Sequence, residues 1–313
     1  MNNSKKLCIV TGSSGFVGSY LVPEIKKITN VVGIDVVPSK HTNFCIDLGN
    51  DDLKEIFDEF INYEICIINL AAARFDFGTK PEEYYNKNIL STENFLRSLK
   101  NLNISKFIHI SSVASFDGEY IKFKNNLSCD DAYRATKNLQ EKRIFKWCKK
   151  NSIKNYTIYP SAIFIDISRS DTNIGKLQEI SKYLPFIPQI NVRKSLTYLP
   201  FLTNFIIECL INNKLNNGRY LAIERPVLTV TEIIKFNTKK DLIILKVPFL
   251  KFFLYIISYI LYLVGGLGRL DLKLTPNRVN KIFTDTSYEQ IKDIDFLSYN
   301  DLNSKDQKKI THT

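Results

Sequence analysis

A doubly wound α/β fold, a parallel sheet with helices on both faces, is predicted by three observations. Short β-rich runs alternate with helical stretches through the first half of the chain. Those runs are nearly continuous in Ile, Val and Leu, as in parallel strands buried on both faces, and do not alternate apolar with polar. The first run ends in a glycine-rich turn that opens the first helical stretch. Strand, helix, strand repeated in this way builds an open parallel sheet.

Taken in order, strands are expected at Lys5–Thr11, Val31–Val37, Phe44–Asp47, Glu64–Ala71, Lys106–Ser112 and Lys154–Pro160. Helices are expected at Phe16–Ile28, Asp51–Ile61, Pro81–Lys100 and Asp130–Asn151. After Pro160 the rhythm changes. Asp166–Val192, with Pro185 and Pro188, reads as irregular, Ser195–Asn213 as a strand and a helix, and Gly218–Glu224 as a short strand. A helix follows from LTVTEIIKF, capped by Thr229 or Thr231, with Glu232 placed to favour its N-terminus. The expected organisation is a nucleotide domain over 1–165, with 190–224 returning to it. A smaller, partly interleaved C-terminal substrate lobe would take 166–189 and 225–302, leaving a disordered tail at 303–313.

At 313 residues, 44% hydrophobic and 24% charged, the chain has the material of a globular protein with a sizeable core. No signal peptide is read at the N-terminus, where Met1–Lys6 is polar. The six cysteines are scattered, no C-x-x-C pair exists, and the histidines are His41, His109 and His312. No metal site is therefore expected, and reduced thiols point to the cytoplasm. A net charge of +11 asks for an anionic partner. The lysines do not cluster with aromatics in a stripe, so a diphosphate ligand or an anionic bilayer surface is expected rather than nucleic acid.

TGSSGFVG spans Thr11–Gly18 and places Gly12, Gly15 and Gly18 three apart. In such a turn one glycine permits the tight bend, one lets backbone N–H groups approach a pyrophosphate, and one lets helix and strand pack closely. Strand before and helix after supply the context a Rossmann-type dinucleotide site requires. Asp35, at the end of the second strand, is placed to accept from an adenosine ribose and to repel a 2′-phosphate, which selects NAD over NADP. Asp47 either contacts the adenine amino group or starts the next helix.

Tyr133 and Lys137 lie four apart on a helix and so share a face. An ammonium beside a phenol lowers its pKa from about 10 and makes the phenolate a base. Tyr120/Lys124 and Tyr288/Lys292 have the same spacing. Only Tyr133 begins a long helix after a strand with a serine-rich end, Ile110–Ser115, and strand C-termini are where ligands sit in open α/β sheets. Ser112 is the expected hydrogen-bonding partner of the substrate oxygen that Tyr133 deprotonates.

Together these residues resemble the extended short-chain dehydrogenase/reductases, in particular the NAD-dependent epimerase/dehydratase family. TGSSGFVG is similar to its TGGxGFxG, Asn69–Arg74 (NLAAAR) to its HxAA segment, and Asn88–Thr92 to its NVxGT helix. Tyr159–Phe164 (YPSAIF) resembles RPxxVYG, and Arg193–Leu202 resembles the strand R-x-F-V-Y-V-x-D. The resemblance runs from about Lys6 to Phe296 and is greatest to bacterial amino-sugar (N-acetylglucosamine) 4-epimerases of polysaccharide biosynthesis. It implies catalysis by Tyr133, Lys137 and Ser112. It also implies an NAD site formed by Gly12, Ser14, Gly15, Phe16, Val17, Asp35, Asp47, Leu48, Leu70, Ala71, Ala72, Tyr133, Lys137 and Pro160. The implied substrate is an N-acetylhexosamine on UDP or polyprenyl diphosphate, with a 4-ketosugar reductase or hydroxyl dehydrogenase as the alternative, or less so a non-catalytic NAD-binding protein. A homodimer through Asp130–Asn151 and Pro81–Lys100 is also implied.

The chain departs from the pattern at three places. Val113 stands where the family carries its usual Ser/Thr, leaving Ser112 or Ser111 to substitute, of which Ser112 is the choice here. Phe116-Asp117-Gly118 replaces a Tyr-Gly, and Tyr159 takes the place of the arginine in RPxxVYG. Val113-Ala114 also stands where sugar dehydratases carry an Asp-Glu pair, which argues against elimination chemistry.

Phe252–Leu267 holds sixteen residues without a charge, flanked by Lys246, Lys251, Arg269 and Lys273. A bilayer span needs roughly 20. A buried helix, an interfacial anchor or lipid groove, and a span are the alternatives; tyrosines and flanking lysines favour the inner membrane surface.

Overall fold

The computed structural model describes residues 5–51, 53–73, 79–165, 185–213, 215–223, 226–237, 243–265, 276–288 and 294–297. Arg74, residues 166–184, 266–267 and the 303–313 tail, all named in the sequence expectations, lie outside them. Two compact units are present. The first comprises the described residues within Met1–Ser161, Leu199–Ile223 and Lys292–Thr313, the second those within Ala162–Tyr198 and Glu224–Ile291.

The first unit is built on strands β1 (Lys5–Thr11), β2 (Asn30–Asp35), β3 (Phe44–Cys45), β4 (Tyr63–Asn69), β5 (Asn103–Ile110) and β6 (Lys154–Pro160). Gly218–Ala222 and Asp295–Leu297 extend it beyond β6. The eight strands follow the order Asp295–Leu297, Gly218–Ala222, β6, β5, β4, β1, β2, β3, and every pairing is parallel. The order reverses between β1 and β4, the switch point where such sheets bind ligands. Burial explains the unbroken apolar runs: Ile9, Ile67, Phe107 and Ile158 are fully enclosed.

The helices of this unit are α1 (Phe16–Lys26), α2 (Lys54–Asp58), α3 (Pro81–Tyr85), α4 (Ser91–Ser98), α5 (Ala114–Gly118), α6 (Cys129–Lys150) and the helix Leu199–Ile211. On one sheet face Phe57, Phe95 and Ile144, from α2, α4 and α6, pack with Ile9, Ile67 and Phe107. From β5 the Lys106 Nζ donates to the Cys209 and Leu210 carbonyls at 3.0 and 2.7 Å. A cation is favoured at this C-terminal end of Leu199–Ile211. Ser128 starts α6: its hydroxyl accepts the Asp131 N–H at 3.1 Å.

Three local expectations change. The single helix expected over Pro81–Lys100 is interrupted by a π-turn at Asn86–Leu90. There the Asn88 side chain is drawn inward, accepting the Ala73 N–H at 2.7 Å and donating to Thr136 at 3.1 Å. Residues 190–198 belong to the second unit because Leu196–Tyr198 pairs with Ala162–Phe164 and Arg193–Lys194 with Leu228–Thr229. Asp295–Leu297, expected in the C-terminal lobe, adds a strand to the first unit's sheet.

In the second unit, Ile187, Ile190, Val230 and Ile234 form a small core. Thr229 is the cap of Val230–Asn237: its hydroxyl accepts the Glu232 N–H at 3.2 Å, and the Glu232 carboxylate accepts the Thr229 N–H at 2.7 Å. Thr231 instead faces inward and accepts the Ile190 N–H at 2.6 Å. The charge-free stretch forms the helix Leu250–Gly265. Among the described residues, no helix is long and apolar enough to cross a membrane.

Candidate active site

At the β1–α1 turn, Gly12 has φ +73°, a left-handed conformation in which a side chain would be strained, and its N–H donates to the Ile34 carbonyl at 2.8 Å. A Cβ on Gly18 would lie 2.2 Å from the Gly12 carbonyl oxygen, so helix and strand meet at a distance only glycine allows. No side chain caps α1 and its first turn holds no carboxylate, which leaves this helix end suited to an anion. Asp35 stands beside the turn, accepting the Ser14 N–H at 3.0 Å and the Val37 N–H at 3.0 Å. Leu70 and Ala71 border Gly12, and the Ala71 N–H donates to Thr11 Oγ1 at 3.3 Å. The cradle, the bare helix end and the strand-end carboxylate fit a dinucleotide.

Helix α2 begins at Lys54, so Asp47 does not start it. Instead Asp47 closes a turn, its carboxylate accepting from the Gly49 N–H and the Asn50 amide, both at 2.9 Å. Leu48 is buried and its carbonyl accepts from the Asn94 amide at 2.8 Å. Pro160 ends β6, where its carbonyl accepts the Val113 N–H at 3.1 Å.

Ser112, just after β5, and Tyr133, on α6, are brought together. The Ser112 hydroxyl is hydrogen-bonded to the Tyr133 phenol and accepts the Ala114 N–H at 3.2 Å. Tyr84 of α3 packs edge-on against the Tyr133 ring, centroids 5.8 Å apart. Val113 is buried. Tyr120, of the competing Tyr120/Lys124 spacing, is 89% exposed and lies in no helix, so it has no enclosed site to act in. Lys292 of the third spacing lies outside the described residues.

Lys137 is buried, and its Nζ donates to Gln140 Oε1 at 2.7 Å and to the Ile110 carbonyl at 3.2 Å. Burial lowers its pKa to about 8, with the Glu141 carboxylate opposing the shift. The expected lowering of the Tyr133 phenol by Lys137 is not what this geometry produces. Burial raises the Tyr133 pKa, and the Ser112 hydrogen bond is what pulls it down. The Lys137 ammonium is turned to Gln140 and the Ile110 carbonyl.

Several residues of this site carried no assigned role in the sequence. Glu141 follows Lys137 by one helical turn, so the Tyr133–Lys137 stripe extended by four would have found it. Gln140 Nε2 also donates to the Ala71 carbonyl at 3.2 Å and to Thr92 at 3.0 Å, tying Lys137 to the segment after β4. His109 is buried with its Nδ1 3.2 Å from the Asn69 amide, and Asn69 accepts from Thr11 at 2.6 Å. The β1–β4–β5 register that aligns Thr11, Asn69 and His109 is a tertiary property no local spacing encodes.

The NAD dependent epimerase/dehydratase family profile matches residues 8–166. A UDP-glucose 4-epimerase of Vibrio cholerae is 21% identical over 243 residues, 74% of each chain. A UDP-glucuronic acid 4-epimerase from Bacillus cereus, solved in complex with NAD, superposes with TM-score 0.62 and 20% identity over 77% of this chain and 86% of its own. A UDP-N-acetylglucosamine 4-epimerase from the same organism superposes with TM-score 0.61 and 16% identity over the same shares. With the profile spanning half of the chain, over the part that holds the glycine turn, Asp35 and the Ser112–Tyr133–Lys137 group, the chain belongs to the NAD-dependent epimerase/dehydratase family and is an NAD-dependent enzyme of the extended short-chain dehydrogenase/reductase type.

Proposed function

We propose that the chain is a 4-epimerase of an N-acetylhexosamine carried on a diphosphate, either UDP or polyprenyl diphosphate, in surface polysaccharide synthesis. The observation that carries this is the placing of Ser112, just after β5, with the Tyr133 phenol, one helical turn from a buried Lys137. The similarity to sugar 4-epimerases supports it. So does Val113-Ala114 in place of an acidic pair.

The turn residues Gly12, Ser14 and Gly15 with the N-terminus of α1 would hold the dinucleotide pyrophosphate, and Asp35 the adenosine ribose. Bound NAD supplies a reversible hydride acceptor. Tyr133, in its phenolate form, takes the proton from the substrate hydroxyl and returns it. Ser112 donates to the same oxygen as it gains carbonyl character, and holds the phenol in place meanwhile. Lys137 would supply a positive charge to the site and would hold the ribose hydroxyls of bound NAD.

A place at the membrane surface belongs to the same proposal. Phe252, Phe253, Tyr259 and Ile260 are all more than half exposed on the Leu250–Gly265 helix, with Lys251 in its first turn and Lys246 before it. An apolar helix edged by lysines suits the headgroup region of an anionic bilayer. A homodimer through Asp130–Asn151 and Pro81–Lys100 completes it.

The test offers NAD-loaded protein two forms of N-acetylglucosamine, UDP-linked and polyprenyl-diphosphate-linked, and assays the galacto epimer. Conversion of either form without net NADH consumption supports the epimerase. Conversion of the lipid-linked form alone assigns the apolar helix to lipid; conversion of the UDP form alone removes that role. No conversion of either, with NADH consumed on a 4-keto sugar, replaces the epimerase by a reductase.

A further inference from the structure

Glu141 is a buried carboxylate at the centre of five groups. Its Oε2 accepts from the Ser111 hydroxyl at 3.2 Å and the Ser115 hydroxyl at 3.3 Å. Its Oε1 accepts from the Tyr159 hydroxyl and lies 3.4 Å from the Arg219 guanidinium. The Lys137 ammonium, one turn back on α6, feels its charge. Arg219 Nε donates to the Tyr159 hydroxyl at 2.7 Å, and its guanidinium sits 5.3 Å from the Tyr159 ring centroid.

The sheet register explains how these meet. His109, Thr157 and Arg219 are partners across β5, β6 and Gly218–Ala222. Side chains two residues apart share a face, so Ser111, Tyr159 and Arg219 all turn toward α6. An unpaired buried carboxylate is costly, and Tyr159, the β6 residue that reaches Glu141, brings no charge. The cation comes from the next strand, as Arg219. Glu141 in turn holds Ser111 and Ser115, which bracket Ser112, while Asn138 of the same helix donates to the Ser115 carbonyl at 3.0 Å.

We propose that Arg219 and Glu141 are positioning residues for the Ser112–Tyr133 pair: Arg219 offsets the buried Glu141 carboxylate, and Glu141 ties the Ser111–Ser115 turn to α6 so that the Ser112 hydroxyl meets the Tyr133 phenol. This rests on the roles given to Ser112 and Tyr133 above.

The experiment compares Arg219→Met, Arg219→Lys, Glu141→Gln and the double variant Arg219→Met/Glu141→Gln, each as NAD-loaded protein, on whichever hexosamine the wild type converts. Arg219→Met and Glu141→Gln should lower kcat about tenfold or more with KM and bound NAD unchanged, because sub-ångström misplacement falls on the chemical step. Arg219→Lys should recover most of the loss, since the cation is kept. Full kcat in Arg219→Met, or a loss confined to KM, would overturn the assignment. Urea unfolding gives a readout that needs no substrate. Arg219→Met leaves the buried Glu141 carboxylate without its guanidinium and should lower the midpoint more than the double variant does. The reverse order refutes the inference whether or not the epimerase assignment stands, and failure of the double variant to fold does the same. A wild type inactive on every hexosamine speaks against the proposed function alone.

Discussion

Helix α6 buries Lys137, Asn138, Gln140 and Glu141, whereas the helix Leu250–Gly265 exposes Phe252, Phe253, Tyr259 and Ile260. Each inverts the usual sorting of side chains between core and water. Burying an ionised group costs several kcal/mol unless it is paired, and α6 offsets part of that cost with hydrogen-bond partners from β5, β6, Gly218–Ala222 and the loops after β4 and β5. Leaving a large apolar side chain in water forgoes about 1.5–3 kcal/mol that burial would supply. The described residues of the second unit leave those rings uncovered. The first inversion is repaid inside the molecule, so it marks chemistry. The second is left open among the described residues, and the bilayer surface proposed above would cover the rings.

The largest expected effect follows from removing the Tyr133 hydroxyl. Tyr133→Phe keeps the ring and its edge contact with Tyr84 but removes the proton carrier. It should lower turnover about 10²–10⁴-fold while NAD stays bound, measured by epimer formation and by cofactor content after gel filtration. Turnover near wild type would move the chemistry elsewhere on α6.

Lys137 sharpens the polar side of the comparison. Its folded pKa is about 8, against 10.5 when solvated. Between those pH values the unfolded chain binds more protons than the folded one, so this residue's contribution to stability rises with pH; below pH 8 its burial penalty is fully present. Relative to Lys137→Met, the wild type should gain about 3 kcal/mol between pH 7 and pH 10. Urea unfolding of both proteins at the two pH values measures this, and a constant difference would mean that Lys137 is not held as described.

The smallest expected effect on the fold lies on the apolar helix. Phe252→Ser/Phe253→Ser should change the unfolding free energy by no more than about 1 kcal/mol in total, since both rings are largely exposed. The same pair should abolish flotation with anionic liposomes at low salt, while activity on a soluble substrate is unchanged. Marked destabilisation would show that the rings are covered within the protein and would turn the contrast with α6 into a likeness.

Much of the first unit was legible in the chain because its signals are local. Apolar runs, a glycine turn with Asp35 beyond it, and a tyrosine and lysine four apart each report their own conformation or chemistry. The π-turn at Asn86–Leu90 was not legible, since it depends on Asn88 finding Thr136 on another helix. The second unit was poorly legible for a related reason. Its strands are two or three residues long and take their pairing from distant segments, so no period marks them.

The sequence by itself determined the parallel sheet, the dinucleotide turn and the Tyr133–Lys137 helix face, because periodicity and spacing along one segment suffice for each. Only the tertiary structure decided which serine meets Tyr133, where the Lys137 ammonium points, and that Arg219 reaches Glu141. Those outcomes depend on the register of strands far apart in the chain, and register is settled by packing rather than by any single segment.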